Sequence, residues 1–429
     1  MLVVGGIIGA GIFINPYLVA QRLSSAGLVL AAWGIGGGIA LAGAYAFAEL
    51  AARFPRAGGQ YVYLSEAFHP IVGFLFGWAS LLMIQGGGLA AVAITFAQYA
   101  LRLCGAGPRG ATTLAIASLV LLATVNVLGV KPGSRLLNTL VVLKIAALAI
   151  LIGGGLFLGK TSAPPGGEAS GHPGGSGVAA MGAALIPILF SYGGWQNANV
   201  VSEEIRDSRR TLPVALLAGT GLVVLIYVLV NLVYLGALGR AGLASTATPA
   251  ADAVRRIFGP GADRLIAAAI AVSTFGFLDL TLLAPTRIYY AMARDGLFFP
   301  ALARLHPRFH TPALAIVLQA AWAILLVLTG TFGELVDSVV FADWIFFGLT
   351  VAGLFVFRAR REESSDAKAF RAPGYPALPA LFVAASALVV WSAVRSNPTR
   401  SAIGAVLLGA GVPVYFLFTR RNPRAVPVP

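Results

Sequence analysis

Two apolar stretches of this chain are each interrupted by glycine near the centre, and they lie about half the sequence apart. The first reads GGIIGAGIF, Gly5 to Phe13, and the second LIPILFSYGGWQNAN, Leu185 to Asn199. Glycine at that density weakens a helix and frees backbone N–H and C=O groups. In hydrocarbon such groups persist only where protein or a water-filled cavity satisfies them. Interrupted helices at corresponding places in two halves point to a solute site near the bilayer midplane.

The rest of the chain fits that setting. Of its 429 residues 58% are hydrophobic and 11% charged, against about 25% charged in soluble domains. Its many long apolar runs make it a multi-pass membrane protein with the lipid bilayer as partner. A single cysteine, Cys104, excludes a disulfide framework and a cysteine-based metal cluster. His69, His172, His306 and His310 all fall in expected loops, so neither a metal nor a cofactor is expected. The net charge of +14 is carried by residues scattered between apolar spans. They read as topology determinants and not as a nucleic-acid surface. No secretory leader is visible, because a basic n-region is missing and Gly5, Gly6, Gly9 and Gly11 break the apolar run. About eight residues precede the first break, roughly 12 Å of helix against a core of about 30 Å. A short cytoplasmic lead is therefore expected ahead of Met1.

Hydropathy and breakers predict an all-α chain with twelve spans, near 2–20, 26–50, 70–102, 111–130, 137–159, 179–202, 213–238, 264–294, 312–330, 335–357, 377–395 and 401–419. The third and eighth exceed a membrane's thickness and should tilt or protrude. Pro213 and Pro312 are expected near helix starts. The Pro/Gly/Ser stretch within 160–178 separates two sets of five spans, 1–159 and 179–358. A cytoplasmic loop, 359–376, precedes two further helices and a tail, 377–429. With the N-terminus inside, eighteen Lys and Arg lie on the cytoplasmic side and ten outside, leaving Lys144 and Arg287 within spans. The asymmetry places both termini in the cytoplasm of a cell membrane.

An amino-acid zwitterion at mid-membrane needs N–H donors for its carboxylate, as a helix N-terminus provides. Its ammonium needs carbonyls at a helix C-terminus. A break at Gly9–Ala10–Gly11 would bare N–H groups at the start of an outer half-helix, Gly11 to Tyr17. A break at Ser191–Tyr192–Gly193–Gly194 would bare carbonyls around Phe190 and Ser191. The competing account is that these glycines serve only close helix packing.

The segments GIIGAGIF, FSYGGWQNANVVSEEI, AELAARFPRAGGQYVYLSEAF and YYAMARDGLF resemble the amino-acid permeases of the amino acid–polyamine–organocation superfamily. The similarity is closest to the L-type amino acid transporter branch and its bacterial relatives, and covers nearly the whole chain in order. It implies a five-plus-five inverted repeat with discontinuous helices 1 and 6, two extra helices and alternating access. By position it implies that the substrate carboxylate meets N–H groups of Ala10 and Gly11, and the ammonium carbonyls of Ile7, Phe190 and Gly193. Gly9, Ser191 and Gly194 belong to the same segments, and Phe190 would be the aromatic gate. Many relatives carry Ser or Thr where this chain has Ala10, so a hydroxyl contact to the carboxylate is lost. The similarity also implies that Lys144, in VVLKIAALAI, stands where sodium-driven cousins bind sodium. Its ammonium would then bridge carbonyls near Gly6 to the hydroxyl of Thr281.

An ionised lysine within a span costs about 3 kcal/mol and so faces a partner or cavity. The plain alternative is snorkelling, since Lys144 lies about seven residues from the expected cytoplasmic helix end. Titration of a buried lysine would instead couple transport to protons. Asp279 and Asp343 read either as a proton relay, a counter-charge to Lys144 or a contact for a cationic substrate, or as carboxyls bonded between helices. Trp195 and Gln196 either shape a side-chain pocket or pack. Gln85–Gly86–Gly87–Gly88 either leaves room for the substrate or lets helices close up. Glu203 and Glu204 with Arg206, Arg209 and Arg210 either lock an inner gate or form a solvated loop. Arg53, Arg56 and the turn Ala293–Gly296 read as loop anchors.

The sequence thus predicts a non-enzymatic, sodium-independent carrier of neutral L-amino acids, working by exchange or proton coupling. The alternative is a carrier of cationic amino acids or polyamines. A second rival is a channel, which would pass solute without saturation or trans-stimulation; a membrane-enzyme reading lacks support, because no nucleophile–base pair or metal constellation falls within the spans. Side-chain specificity and oligomeric state are not legible.

Overall fold

The computed structural model describes residues 2–54, 58–129, 134–158, 175, 177–200, 205, 207–283, 285–360 and 370–421. Among them the fold is all-helical, apart from one bridge between Leu23 and Gly175. The first apolar segment forms α1 (Leu2–Ile7) and α2 (Gly11–Arg22), with Ile8–Gly9–Ala10 non-helical between them. α3 (Ala26–Arg53) starts at Ser25, whose side chain accepts from the Leu28 N–H. The short α4 (Gln60–Ala67) leads to α5 (Pro70–Ala79), a π-helical turn at Ser80–Ile84, and α6 (Gln85–Leu103). α7 (Ala111–Val127) and α8 (Ser134–Phe157) complete the first half.

The second half opens with α9 (Val178–Tyr192), the turn Gly193–Gln196 and α10 (Asn197–Val200). α11 (Ser208–Ala244) kinks at Gly239, where φ is 66°, and α12 (Pro249–Phe258) follows. Then come α13 (Ala262–Leu283), α14 (Thr286–Arg294), α15 (Ala313–Thr329) and α16 (Phe332–Ala359), the last begun by a Thr331/Glu334 capping box. α17 (Ala377–Ser396) and α18 (Pro398–Arg421) end the chain.

Nine helices among the described residues are long and apolar enough to cross a membrane. The other three expected spans are the broken α1–α2 and the 17-residue α7 and α15. Two expected long spans are not continuous α-helices. The third carries the π-turn, and the eighth is interrupted before Thr286, because Pro285 has no N–H to continue α13. Pro213 lies inside α11 and not at its first turn, because that helix begins five residues earlier, at Ser208. Pro312 is the N-cap of α15, as expected of a helix start.

α3 packs along α11, α13 along α6, α16 along α17 and α2 against α9. Trp33, Tyr192 and Tyr227 form one buried aromatic cluster, and Phe47, Trp195 and Phe347 another. These two clusters hold α9 and the turn after it against α3, α11 and α16. The site takes its shape from them.

Candidate functional site

At the first break the chain leaves α1 and restarts as α2 without capping side chains. The N–H groups of Ala10, Gly11 and Ile12 have no acceptor among the described residues. They form a donor cluster at the positive end of α2. The Ile7 carbonyl is already engaged, accepting from the Gly9 N–H at 2.7 Å and the Tyr227 hydroxyl at 3.0 Å. An ammonium acceptor at Ile7 is thus occupied in this conformation. Tyr227 was not legible as a site residue, since it lies in the uninterrupted apolar run of α11.

Lys144 does not snorkel. Its side chain is buried, and Nζ donates to the Ile8 carbonyl at 2.6 Å and the Gly5 carbonyl at 3.3 Å. It also sits 5.5 Å from the Phe277 ring centroid. The expected bridge to Thr281 is not made, because the Thr281 hydroxyl donates to the Phe277 carbonyl of its own helix at 2.8 Å.

At the second break α9 runs through Tyr192, so the non-helical stretch is Gly193–Gln196, two residues later than expected. The reason is local: the Gly193 N–H turns back to the Phe190 carbonyl at 3.2 Å. Gly194 then takes φ +112° and donates to the Gln196 side chain at 2.8 Å. The Ser191 and Gly193 carbonyls have no donor among the described residues. Both accounts of the glycines hold here at once. A Cβ on Gly6 would stand 2.9 Å from the Gly194 carbonyl, and one on Gly194 would collide with the Gly6 carbonyl. One on Gly11 would meet the Ser191 Cα at 2.6 Å, and one on Gly9 the Phe277 ring at 2.9 Å.

Asn15, missed in the sequence, fastens the two broken helices. Its amide donates to the Pro187 carbonyl at 2.8 Å and to the Ser191 hydroxyl at 2.7 Å. A lone Asn inside the apolar run IFINPYL was the available signal, since buried amides need partners. Pro187 itself leaves the Ala183 carbonyl without its helical donor. Arg22 donates to that carbonyl and pairs with Asp337 at 3.2 Å, joining α2, α9 and α16.

Between the breaks lies a cavity of about 150 Å³. Its wall brings together Ile7, Gly9, Ala10, Gly11, Phe190, Ser191, Gly193 and Gly194, with Thr281, Gln85, Gly88 and Asp343. Gly86 and Gly87 face away, against Trp322 and Val339, so the glycine run serves space and packing in turn. Trp195 is not on the wall: it packs against Phe47 at 4.6 Å and Phe347 at 5.4 Å. Asp279 is not on it either, and accepts from the Asn126 amide at 2.6 Å between α7 and α13. Asp343 lies on the wall, 9% exposed, with no hydrogen-bond or ion-pair partner among the described residues. Glu203, Glu204, Arg206 and Arg56 lie outside the described residues. Arg53 is no simple loop anchor, since it pairs at 2.8 Å with Glu49, a fully buried carboxylate that also accepts from Arg358 at 2.6 Å and the Ala372 N–H at 2.8 Å.

Helix ends turned into one cavity inside an apolar bundle fit a membrane transporter, and the chain belongs to the amino acid permease family, whose model matches residues 1–418. It is a membrane transporter and not an enzyme. It is 32% identical over 422 residues to the human b(0,+)-type amino acid transporter 1, covering 97% of this chain and 86% of the relative. Identity to the serine/threonine exchanger SteT of Bacillus subtilis is 30% over 429 residues, covering 98% and 95% of the two chains. The human Asc-type amino acid transporter 1 is 30% identical over 439 residues, covering 99% and 82%.

Proposed function

We propose that this protein is a sodium-independent secondary transporter moving L-amino acids by alternating access. Twelve crossings, with 1–159 and 179–358 as inverted repeats and both termini cytoplasmic, form the frame of this reading. The observation that carries it is the pairing, across one cavity, of N–H groups at Ala10–Ile12 and carbonyls at Ser191 and Gly193 that are unengaged among the described residues. A zwitterion's carboxylate fits the first set and its ammonium the second. Phe190, on the wall, is the gate. Lys144 already supplies a fixed cation to the Ile8 and Gly5 carbonyls, which removes the need for sodium there. Neutral cargo suits main-chain recognition of the α-groups and a wall made mostly of apolar residues. Exchange is the favoured mode, by likeness to a relative named an exchanger.

The test is uptake of L-amino acids into proteoliposomes in sodium and in choline, with and without internal unlabelled amino acid, under zero, inward and outward proton gradients. Saturable, sodium-independent uptake stimulated by internal amino acid is expected. Proton-driven net uptake without such stimulation would replace exchange by symport. Uptake that neither saturates nor responds to internal amino acid would indicate a channel and overturn the reading.

A further inference from the structure

We infer that Gln319 and Trp322, one turn apart on α15, are positioning residues for transport: from outside the cavity they hold the two irregular turns through which α6 and α13 reach its wall. The inference rests on the transport reading above.

α15 has no residue on the described cavity wall, yet two helices beside it do. α6 brings Gln85, Gly88 and Val92 there, directly after the π-turn Ser80–Ile84. α13 brings Phe277, Leu280 and Thr281, just before the interruption at Pro285. Each stretch of wall therefore adjoins a departure from regular helix, and helices bend at such places unless something outside fixes them.

Pro285 cannot return an N–H to the carbonyl four residues back, which is that of Thr281. Gln319, fully buried, supplies a donor instead: its amide bonds that carbonyl at 3.1 Å. Only the NH₂ end of an amide can do so, and its oxygen is left without a donor among the described residues. An apolar side chain would fill the same space without that cost. What the amide adds is the grip on Thr281.

The other irregular turn is held from the same face. In the π-turn the Gln85 N–H reaches back five residues to the Ser80 carbonyl. Within it the Leu82 carbonyl accepts from the Trp322 indole N–H at 2.7 Å. Gly86 makes room for the indole, since a Cβ there would stand 2.7 Å from Trp322 Cδ1. Residues three apart share one side of a helix. One helix thus ties both turns to a common support, and the spacing of α6 and α13 across the cavity is set from behind.

The experiment measures uptake kinetics in proteoliposomes of the full chain, for the best-carried member of a panel of labelled L-amino acids. Gln319→Met keeps the shape and loses the donor, and Trp322→Phe keeps an aromatic ring and loses the N–H. In each, KM should rise about fivefold, the worth of one ordinary hydrogen bond. Vmax per reconstituted transporter should stay within about twofold of wild type. Gln319→His, whose Nε2–H reaches about as far as the amide, should keep KM within about twofold of wild type. Pro285→Ala returns a main-chain donor to Thr281, so adding Gln319→Met to it should change KM by less than about twofold. Wild-type KM in Gln319→Met and Trp322→Phe, with only the melting temperature lowered, would overturn the assignment and leave both as packing residues. So would a fivefold rise from Gln319→Met that persists in the Pro285→Ala background. Should Gln319→Met fail to reach the membrane, Trp322→Phe decides by the same KM criterion. Failure of wild type to carry any member of the panel would instead sink the transport reading itself.

Discussion

Arg22 donates to the carbonyl of Ala183, the one group that Pro187 leaves without its partner in α9. The same guanidinium pairs with Asp337 of α16. A proline-made vacancy is thus filled by a cation from the other broken helix. Arg22→Ala should lower stability by about 1.5–3 kcal/mol, the range for hydrogen bonds to charged groups. In a Pro187→Ala background, where Ala183 regains a helical donor, the loss should shrink by at least about 0.5 kcal/mol. Thermal unfolding of the four purified variants checks this, and strict additivity would show the vacancy to be irrelevant.

Lys144→Ala removes the ammonium from the Ile8 and Gly5 carbonyls and leaves both bare beside the first break. Uptake should fall at least about tenfold, since buried acceptors left unmatched cost about 1–3 kcal/mol each. The amount of protein in the membrane, measured in parallel, separates this from failed insertion. Wild-type rates would mean that the lysine has no part in the cycle.

Neighbouring glycines at the second break should respond differently. Gly193 has φ −64°, and a Cβ there would lie 3.3 Å from the Phe190 carbonyl. Gly194 has φ +112° and faces the Gly6 carbonyl. Gly194→Ala should abolish substrate binding, whereas Gly193→Ala should weaken it by less than about tenfold, because its backbone suits any residue. Gly193→Val, with its branched side chain beside the cargo, should remove binding. Equilibrium binding in detergent is the measurement. Equal effects of Ala at 193 and 194 would mean that backbone strain is not what distinguishes them.

Glu49→Gln leaves Arg53 and Arg358 without their shared carboxylate at the junction of α3 and α16. Breaking a buried ion pair from one side costs about 3–5 kcal/mol. The melting temperature should drop, and proteolysis should cut first near Ala372, whose N–H is held by the same carboxylate. Unchanged melting and cleavage would show that the cluster carries no structural load.

The sequence foretold both breaks because glycine density is a local property, and it foretold most span ends because hydropathy is too. Which residues face the cavity was not local. Asp279 and Asp343 looked alike as lone carboxylates in apolar runs, and only the packing of α7 and α16 separates a bonded carboxyl from one on the wall. Trp195 stands within the turn yet points to α3 and α16. Asn15, Arg22, Glu49 and Tyr227 take partners 172, 161, 309 and 220 positions away, beyond the reach of any periodicity. The lag of the second break by two residues followed from a single turn at Phe190, which no propensity marks.

The abutment of Gly6 and Gly194 has a mechanical meaning. With no side chain on either partner, there is no rotamer to absorb a shift, so α1 and the bend after α9 are geared together. Tilting one would drag the other, and on the alternating-access reading proposed above, opening the cavity toward one face of the membrane would reshape both grips on the cargo in the same stroke.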